Sequence, residues 1–227
     1  MLSIKLCLSD AASLSSTRYG LPLGKYEIGT PTAGAYAGPQ VLSEVGSFSL
    51  EFGRLAQITG KQEYYDIVHR AQEYLSKRAS EGKHPGLLGG EVDDSSGKIE
   101  GTTGFGGQSD SYYEYLLKAS LLFRNSTVSS EYLDAYVQAV DSAYSSKVIS
   151  KVAVIPGEGN EDLTIFGQIR FRTYWPVLEH LACFAGGLIG LGSRVAGKGR
   201  EKDLVTGDLV GFPISLCPSN LVRANEY

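Results

Sequence analysis

Apolar residues recur along this chain with two different periods. Between Val41 and Thr59, the residues Val45, Phe48, Phe52 and Leu55 stand at i, i+3, i+7 and i+10, the spacing of one buried helix face. Thr59-Gly60 closes that stretch as a helix end. Lys61 to Ser80 carries Tyr64, Ile67, Val68, Ala71 and Leu75 on a second inward face. The short turn between the two predicts an αα-hairpin. A second pair follows, with one helix over Ser109–Phe123 and another over Ser130–Val148, the latter with Leu133, Tyr136, Val137, Val140 and Tyr144 inward. It echoes the first: Leu50-Glu51-Phe52 is placed as Tyr113-Glu114-Tyr115 is, and Glu63-Tyr64-Tyr65 as Glu131-Tyr132-Leu133 is. Repeated helical hairpins of this size predict a solenoid or a toroidal α/α barrel.

Elsewhere the helical period is lost. His84 to Gly104 is rich in Gly, Asp and Ser and holds a short hairpin turning at Asp94-Ser95-Ser96-Gly97. Lys151–Pro156 and Thr164–Tyr174 are rich in β-branched and aromatic residues, and Gly157–Asp162 separates them. They predict a β-hairpin inserted between helices. Pro176 suits the first turn of a helix over Leu178–Arg194. Glu201–Val205 starts another helix, whose continuation is not legible. The domain reading is therefore an irregular arm over 1–40, a helical body over 41–206 and an irregular tail over 207–227.

Composition narrows the class. Hydrophobic residues make up 42% and charged residues 20%, ordinary values for a globular protein. A net charge of −4 leaves no basic footprint, so no nucleic-acid partner is expected. No run reaches the roughly 18 apolar residues of a transmembrane segment. Met1–Ala12 is apolar but broken by Lys5 and ended by Asp10, too short and interrupted for a clear signal peptide. Cys7, Cys183 and Cys217 lack metal-ligand spacing. A Cys183–Cys217 disulfide and two buried thiols both remain open. Glu91, Asp93 and Asp94 lack the spacing of a calcium loop and read as a solvated turn, so no metal-ligating set is assigned. Asn125-Ser126-Thr127 is a formal glycosylation sequon. Oligomeric state is not legible.

The chemistry concentrates in Gly106-Gly107-Gln108-Ser109-Asp110-Ser111-Tyr112-Tyr113-Glu114-Tyr115-Leu116-Leu117-Lys118. Ser109 or Asp110 is placed to cap the helix that follows. Asp110 and Glu114, four apart, share a helix face, and their repulsion calls for solvent, a polyhydroxylated ligand or a cation. Further candidates are Glu44, Glu51, Glu179 and His180. Glu44 and Glu51 are seven apart, which on one helix puts them on a common face. Acidic residues on helices are usually solvated. Glu51, Asp110 and Glu114 instead sit among apolar residues, near helix starts expected to face one end of a helical barrel. Paired carboxyl groups flanking a glycosidic bond are the machinery of glycoside hydrolysis.

The Gly106–Lys118 stretch closely resembles a signature of the class I α-1,2-mannosidases, glycoside hydrolase family 47. Glu44-Val45-Gly46-Ser47-Phe48-Ser49-Leu50-Glu51-Phe52 resembles that family's E-x-G/T-x-x-x-L-E-F segment. Leu178-Glu179-His180-Leu181-Ala182-Cys183-Phe184 resembles its later H-L-x-C-F segment, in a fungal-looking form. The resemblance implies an all-α, incomplete (αα)7 barrel with a short β-hairpin insertion. It implies inverting removal of α-1,2-linked mannose from high-mannose N-glycans in the secretory pathway, with Ca²⁺ at the barrel floor. On this chain Asp110 matches a catalytic carboxylate. Glu44 and His180 match positions lining the mannose pocket, and Glu51 and Glu114 match further acidic residues of the site. Gln108 stands at a branch-selecting position, and Cys183 matches a disulfide-bonded cysteine.

The family's general-acid glutamate segment, its remaining carboxylate and its Ca²⁺-binding threonine are not found here. The expectation is an internal fragment, from the second to about the fourth hairpin, that is not catalytically competent alone, because one carboxylate cannot perform both proton transfers. Two rival readings are a mannose-glycan binding module of the glycoprotein quality-control type and a structural helical-repeat protein.

Overall fold

The computed structural model describes residues 19–22, 39–93, 95–124, 126–152 and 163–211. Three helical hairpins and two small sheets make up these residues. Strand β1 (Gln40–Val41) leads into α1 (Leu42–Val45), followed by α2 (Ser49–Thr59) and α3 (Gln62–Glu81). Strands β2 (Gly89–Asp93) and β3 (Lys98–Thr103) precede α4 (Asp110–Leu122) and α5 (Thr127–Ser145). Strands β4 (Ile149–Val152), β5 (Leu163–Phe166), β6 (Gln168–Arg170) and β7 (Thr173–Trp175) come next. A 3₁₀ turn (His180–Cys183), α6 (Phe184–Ala196) and α7 (Glu201–Gly211) complete the order.

The expected first helix breaks at Gly46. A Cβ there would run into the Tyr112 ring, 3.2 Å from its Cγ, and would lie 3.0 Å from Leu42 O. The chain therefore ends α1 at Val45 and restarts at Ser49, with Tyr112 seated where the helix would have continued. Glu44 and Glu51 no longer share one helix face, which corrects the expectation from their spacing. Helix α2 ends as its sequence demands: Gly60 takes φ 70° and donates its N–H to Ala56 O at 2.8 Å. Helix α5 starts at Thr127 rather than Ser130, because Ser126 Oγ accepts the N–H of Ser129 at 3.3 Å.

The inserted β-hairpin resolves into two. Strands β4 and β5 pair antiparallel, with Ile149 opposite Phe166. Gly167 then breaks the run, since a Cβ there would lie 2.6 Å from the Tyr174 ring. Strands β6 and β7 form a separate hairpin that extends the larger sheet, of order β1-β2-β3-β6-β7. The helix expected from Leu178 begins only with the 3₁₀ turn at His180. Pro176 lies before it, outside any helical first turn.

Helix α7 runs to Gly211, past the start of the expected tail, and packs on α6 as a third hairpin. A Cβ at Gly207 would lie 2.6 Å from Gly190 Cα and 3.0 Å from Gly186 O, so the two backbones approach through glycine. Arg200 anchors the start of α7, donating to Asp203 Oδ2 at 2.5 Å and Asp141 Oδ1 at 2.6 Å. The main core gathers Tyr112, Tyr113, Leu116 and Leu117 of α4 with residues of α3, α5, α6 and the sheet. Phe52, Tyr64, Ile67 and Val68 form a smaller cluster between α2 and α3. The expectations for residues 1–18, 23–38, 94, 153–162, 212–227 and the sequon residue Asn125 lie outside the described residues.

Two outcomes follow. Gly46→Ala is expected to lower stability by about 1–3 kcal/mol through overpacking against Tyr112, read as a lower urea midpoint. The Asp93 carboxyl accepts from the hydroxyls and N–H groups of Ser95 and Ser96, which hold it down at about 2. A depressed carboxylate stabilises the folded turn above its ordinary value of 3.8 and loses that contribution as pH falls through about 2. The Ser95 and Ser96 amide resonances should therefore titrate near pH 2, and Asp93→Asn should remove the step.

Candidate active site

A turn of five residues, Gly106 to Asp110, joins the sheet to α4 and organises its surroundings. The N–H groups of Ser109 and Asp110 donate to Gly106 O at 3.2 and 3.0 Å. Gln108 sits in the left-handed region at φ 70°, a costly conformation for a residue with a Cβ. It aims the Gln108 carbonyl at α1, where it accepts the N–H of Ser43 at 2.8 Å. Ser111 Oγ closes the same junction by donating to Ser43 O at 3.4 Å. Glu44 is thereby set beside the turn that carries Asp110.

The side chains at this junction are unequally engaged. Asp110 Oδ1 accepts the N–H of Ser111 at 2.8 Å, and Asp110 Oδ2 meets no partner among the described residues. Ser109 occupies the capping position but its hydroxyl makes no cap bond and is buried without a partner. The start of α4 thus carries no side-chain cap bond, and Asp110, its first residue, takes only the N–H that follows it. Glu44 is half-buried, and its carboxylate has no side-chain partner among the described residues. Gln108 is exposed, and its stem rests on Gly90, where a Cβ would lie 2.7 Å from Gln108 Cβ.

A second wall comes from the segment before α6. Glu179 presses its carboxylate against Gly106 and Gly107, and a Cβ at Gly107 would lie 2.8 Å from Glu179 Oε1 and 3.2 Å from Leu181 Cδ1. His180, exposed, stands between these two residues at the head of the 3₁₀ turn. The Glu179 carboxylate also accepts from Gln168 Nε2 at 3.0 Å, and Gln168 Oε1 accepts from Arg170 Nε at 2.9 Å. Nothing in the sequence marked Gln168, which looks like any strand residue. Its role depends on the strand register.

Glu51 and Glu114 lie further along the helices and are already occupied. Glu51 is exposed rather than embedded, and accepts from Tyr115 Oη at 2.8 Å. Glu114 pairs with Lys118 at 2.5 Å, and this cation supplies the charge compensation that the Asp110–Glu114 spacing demanded. Burial first, then the bond to Glu51, pushes the Tyr115 hydroxyl up to about 12, so it stays a donor.

A hollow of about 1010 Å³ lies among the end of α3, β2, β3 and the tip of β6, and none of these six expected site residues lines it. Among the described residues no three His, Cys, Asp or Glu side chains are grouped to hold a metal ion. No described helix is long and apolar enough to cross a membrane.

A family model described as glycosyl hydrolase family 47 matches residues 9–210. A probable mannosyl-oligosaccharide alpha-1,2-mannosidase 1B of Aspergillus clavatus is 33% identical over 178 residues, covering 77% of this chain and 32% of that protein. The endoplasmic reticulum mannosyl-oligosaccharide 1,2-alpha-mannosidase of Saccharomyces cerevisiae is 30% identical over 194 residues, covering 82% of this chain and 34% of that protein. Among solved structures, the alpha-1,2-mannosidase from Trichoderma reesei superposes with a TM-score of 0.75 at 27% identity, over 90% of this chain and 41% of the other. The chain thus spans about a third of the length of these curated relatives.

The turn makes its own prediction. Gln108→Gly should relieve the left-handed strain and leave stability unchanged or raised by about 1 kcal/mol. Gly90→Ala should lower it by about 1–3 kcal/mol by pushing Gln108 off Ser43. Paired urea unfolding curves of the two variants check both signs.

Proposed function

Because the chain belongs to glycosyl hydrolase family 47, we propose that its Gly106–Asp110 junction is part of an inverting α-1,2-mannosidase site for high-mannose N-glycans. Its three helical hairpins are a part of that family's (αα)7 barrel. The observation that carries the functional reading is the bond from Ser43 N–H to Gln108 O, which sets Glu44 beside Asp110. The two carboxylates carry no cation among the described residues, so both are open to sugar hydroxyls.

In this reading Asp110 is one catalytic carboxylate. Ser111 N–H holds its Oδ1, the α4 N-terminus favours a carboxylate there, and Oδ2 faces the reacting sugar or its attacking water. Glu44 and His180 hold the terminal mannose, and Gln108, on its rigid turn, selects the branch. Glu51 acts at one remove, by tying α2 to α4 through Tyr115, and Glu114 by holding Lys118 on α4. Inversion needs a second carboxyl group about 6.5–9.5 Å across the scissile bond. The resemblance matches no residue of this chain to that second group, and no step is routed through calcium. A lumenal setting is proposed on the same kinship, supported by the name of the yeast relative. The pairing of Cys183 stays a proposal too, because Cys217 is not among the described residues.

The test is a titration of the full chain with α-1,2-mannobiose, with free mannose assayed alongside. Expected are a dissociation constant of about 1 mM and no release of mannose. Glu44→Gln or Asp110→Asn should weaken binding about tenfold, the effect of one hydrogen bond to a charged group. Absence of binding would sink the site assignment. Mannose release abolished by Asp110→Asn would instead make this chain a complete catalyst.

A further inference from the structure

We infer that the open edge of β3 pairs antiparallel with the same edge of a second copy of this chain, with Ile99 on the twofold axis and Lys98 of each copy opposite Glu100 of the other. The surface is separate from the proposed sugar site, and the inference does not depend on that reading.

Strand β3 is paired along one side only. Its inner side runs along β2 from Lys98 to Thr103. Its outer side meets β6 only at Thr103, opposite Ile169, among the described residues. Alternate residues of a strand turn their N–H and C=O to opposite sides, so the stretch from Lys98 to Thr102 offers donors and acceptors to a further strand. Space for that strand is present, because the hollow of about 1010 Å³ borders Lys98, Ile99, Glu100 and Gly101. Phe171, 96% exposed, stands at its rim, where a docked strand would cover it.

Charge decides which strand fits. Val92 and Ile99 are opposite each other and pack on the core, so Glu91, Lys98 and Glu100 share the solvent side of the sheet. Glu91 is directly opposite Glu100, and like charges so placed weaken a strand pair. Glu91 also leans over β3, since a Cβ at Gly101 would lie 3.3 Å from its Cγ. No cation answers either carboxylate among the described residues, and Lys98 makes no ion pair there.

Charges on an edge strand ordinarily keep other strands away. Here Lys98-Ile99-Glu100 is its own complement. After half a turn about Ile99, each Lys98 meets the partner's Glu100 and each Glu100 meets the partner's Lys98. Opposite charges across a strand pair attract, and the incoming lysine also answers the Glu91–Glu100 repulsion. A twofold contact of this kind closes on itself, so it stops at a dimer.

Sedimentation equilibrium of the full chain tests the pairing. A dissociation constant of about 100 μM is expected, weak because the contact is small. Lys98→Glu alone and Glu100→Lys alone should each weaken self-association about tenfold or more, because like charges then meet across the axis. Mixed in equal amounts, the two variants should associate about as tightly as the unchanged chain, since every Glu then meets a Lys. Both positions are exposed, and matching circular dichroism spectra check that each variant folds. A chain that stays monomeric at about 500 μM would overturn the proposal. So would self-association that neither variant changes, or folded variants that do not associate when mixed. Monomers whose β3 amide resonances shift on adding an unrelated extended peptide would give the edge to a foreign strand instead.

Discussion

A backbone constraint underlies the rest: Gln108 is held in a conformation that residues with side chains avoid, and three other segments close on it. Its carbonyl is taken by Ser43, its stem by Gly90, and the preceding glycines by Glu179. The approaches at Gly90, Gly106 and Gly107 are too close for a Cβ on the glycine side. The site exists because Gly90, Gly106 and Gly107 let a sheet, two helices and a 3₁₀ turn meet within one turn of chain. Their substitution would separate the carboxylates without touching any of them.

The acidic residues of the chain divide by what surrounds them. Glu51 is answered by Tyr115, which ties α2 to α4, and Glu114 by Lys118 one turn further along α4. Tyr115, pushed up to about 12, remains protonated at any physiological pH, so this tie does not titrate away. Asp110 and Glu44 have no such answer among the described residues, and Glu179 is met by the neutral donor of Gln168. Unbalanced carboxylates at a half-buried junction are costly unless a ligand shares them. That asymmetry, and not the number of acids, separates the set proposed to face a sugar from the structural one.

The helical hairpins show a parallel division of labour. The first two pack through aromatic and branched side chains, with Tyr112, Tyr113, Tyr132 and Tyr136 wholly buried. The third packs α6 on α7 through Gly186, Gly190 and Gly207 and ties its turn with buried Arg200 and Asp203. Close backbone contact and a buried ion pair do there what ring stacking does elsewhere. The result is one repeated unit with two kinds of seam.

The amino-acid pattern alone determined the four long helices of the first two hairpins, the turn that joins Asp93 to Lys98 and the segments that carry the carboxylates, because helix period, caps and turn residues are local properties. It also carried the kinship, through three short segments. Only the tertiary structure decided where the elements break. Tyr112 ends α1 at Gly46, and Tyr174 splits the expected strand at Gly167, each through a ring distant in sequence or across a turn. The pairing of α6 with α7 was illegible because their contact is made by glycines, which contribute no hydrophobic stripe. Gln168 meets Glu179 only through register, and a register is a relation between strands that neither strand spells out by itself.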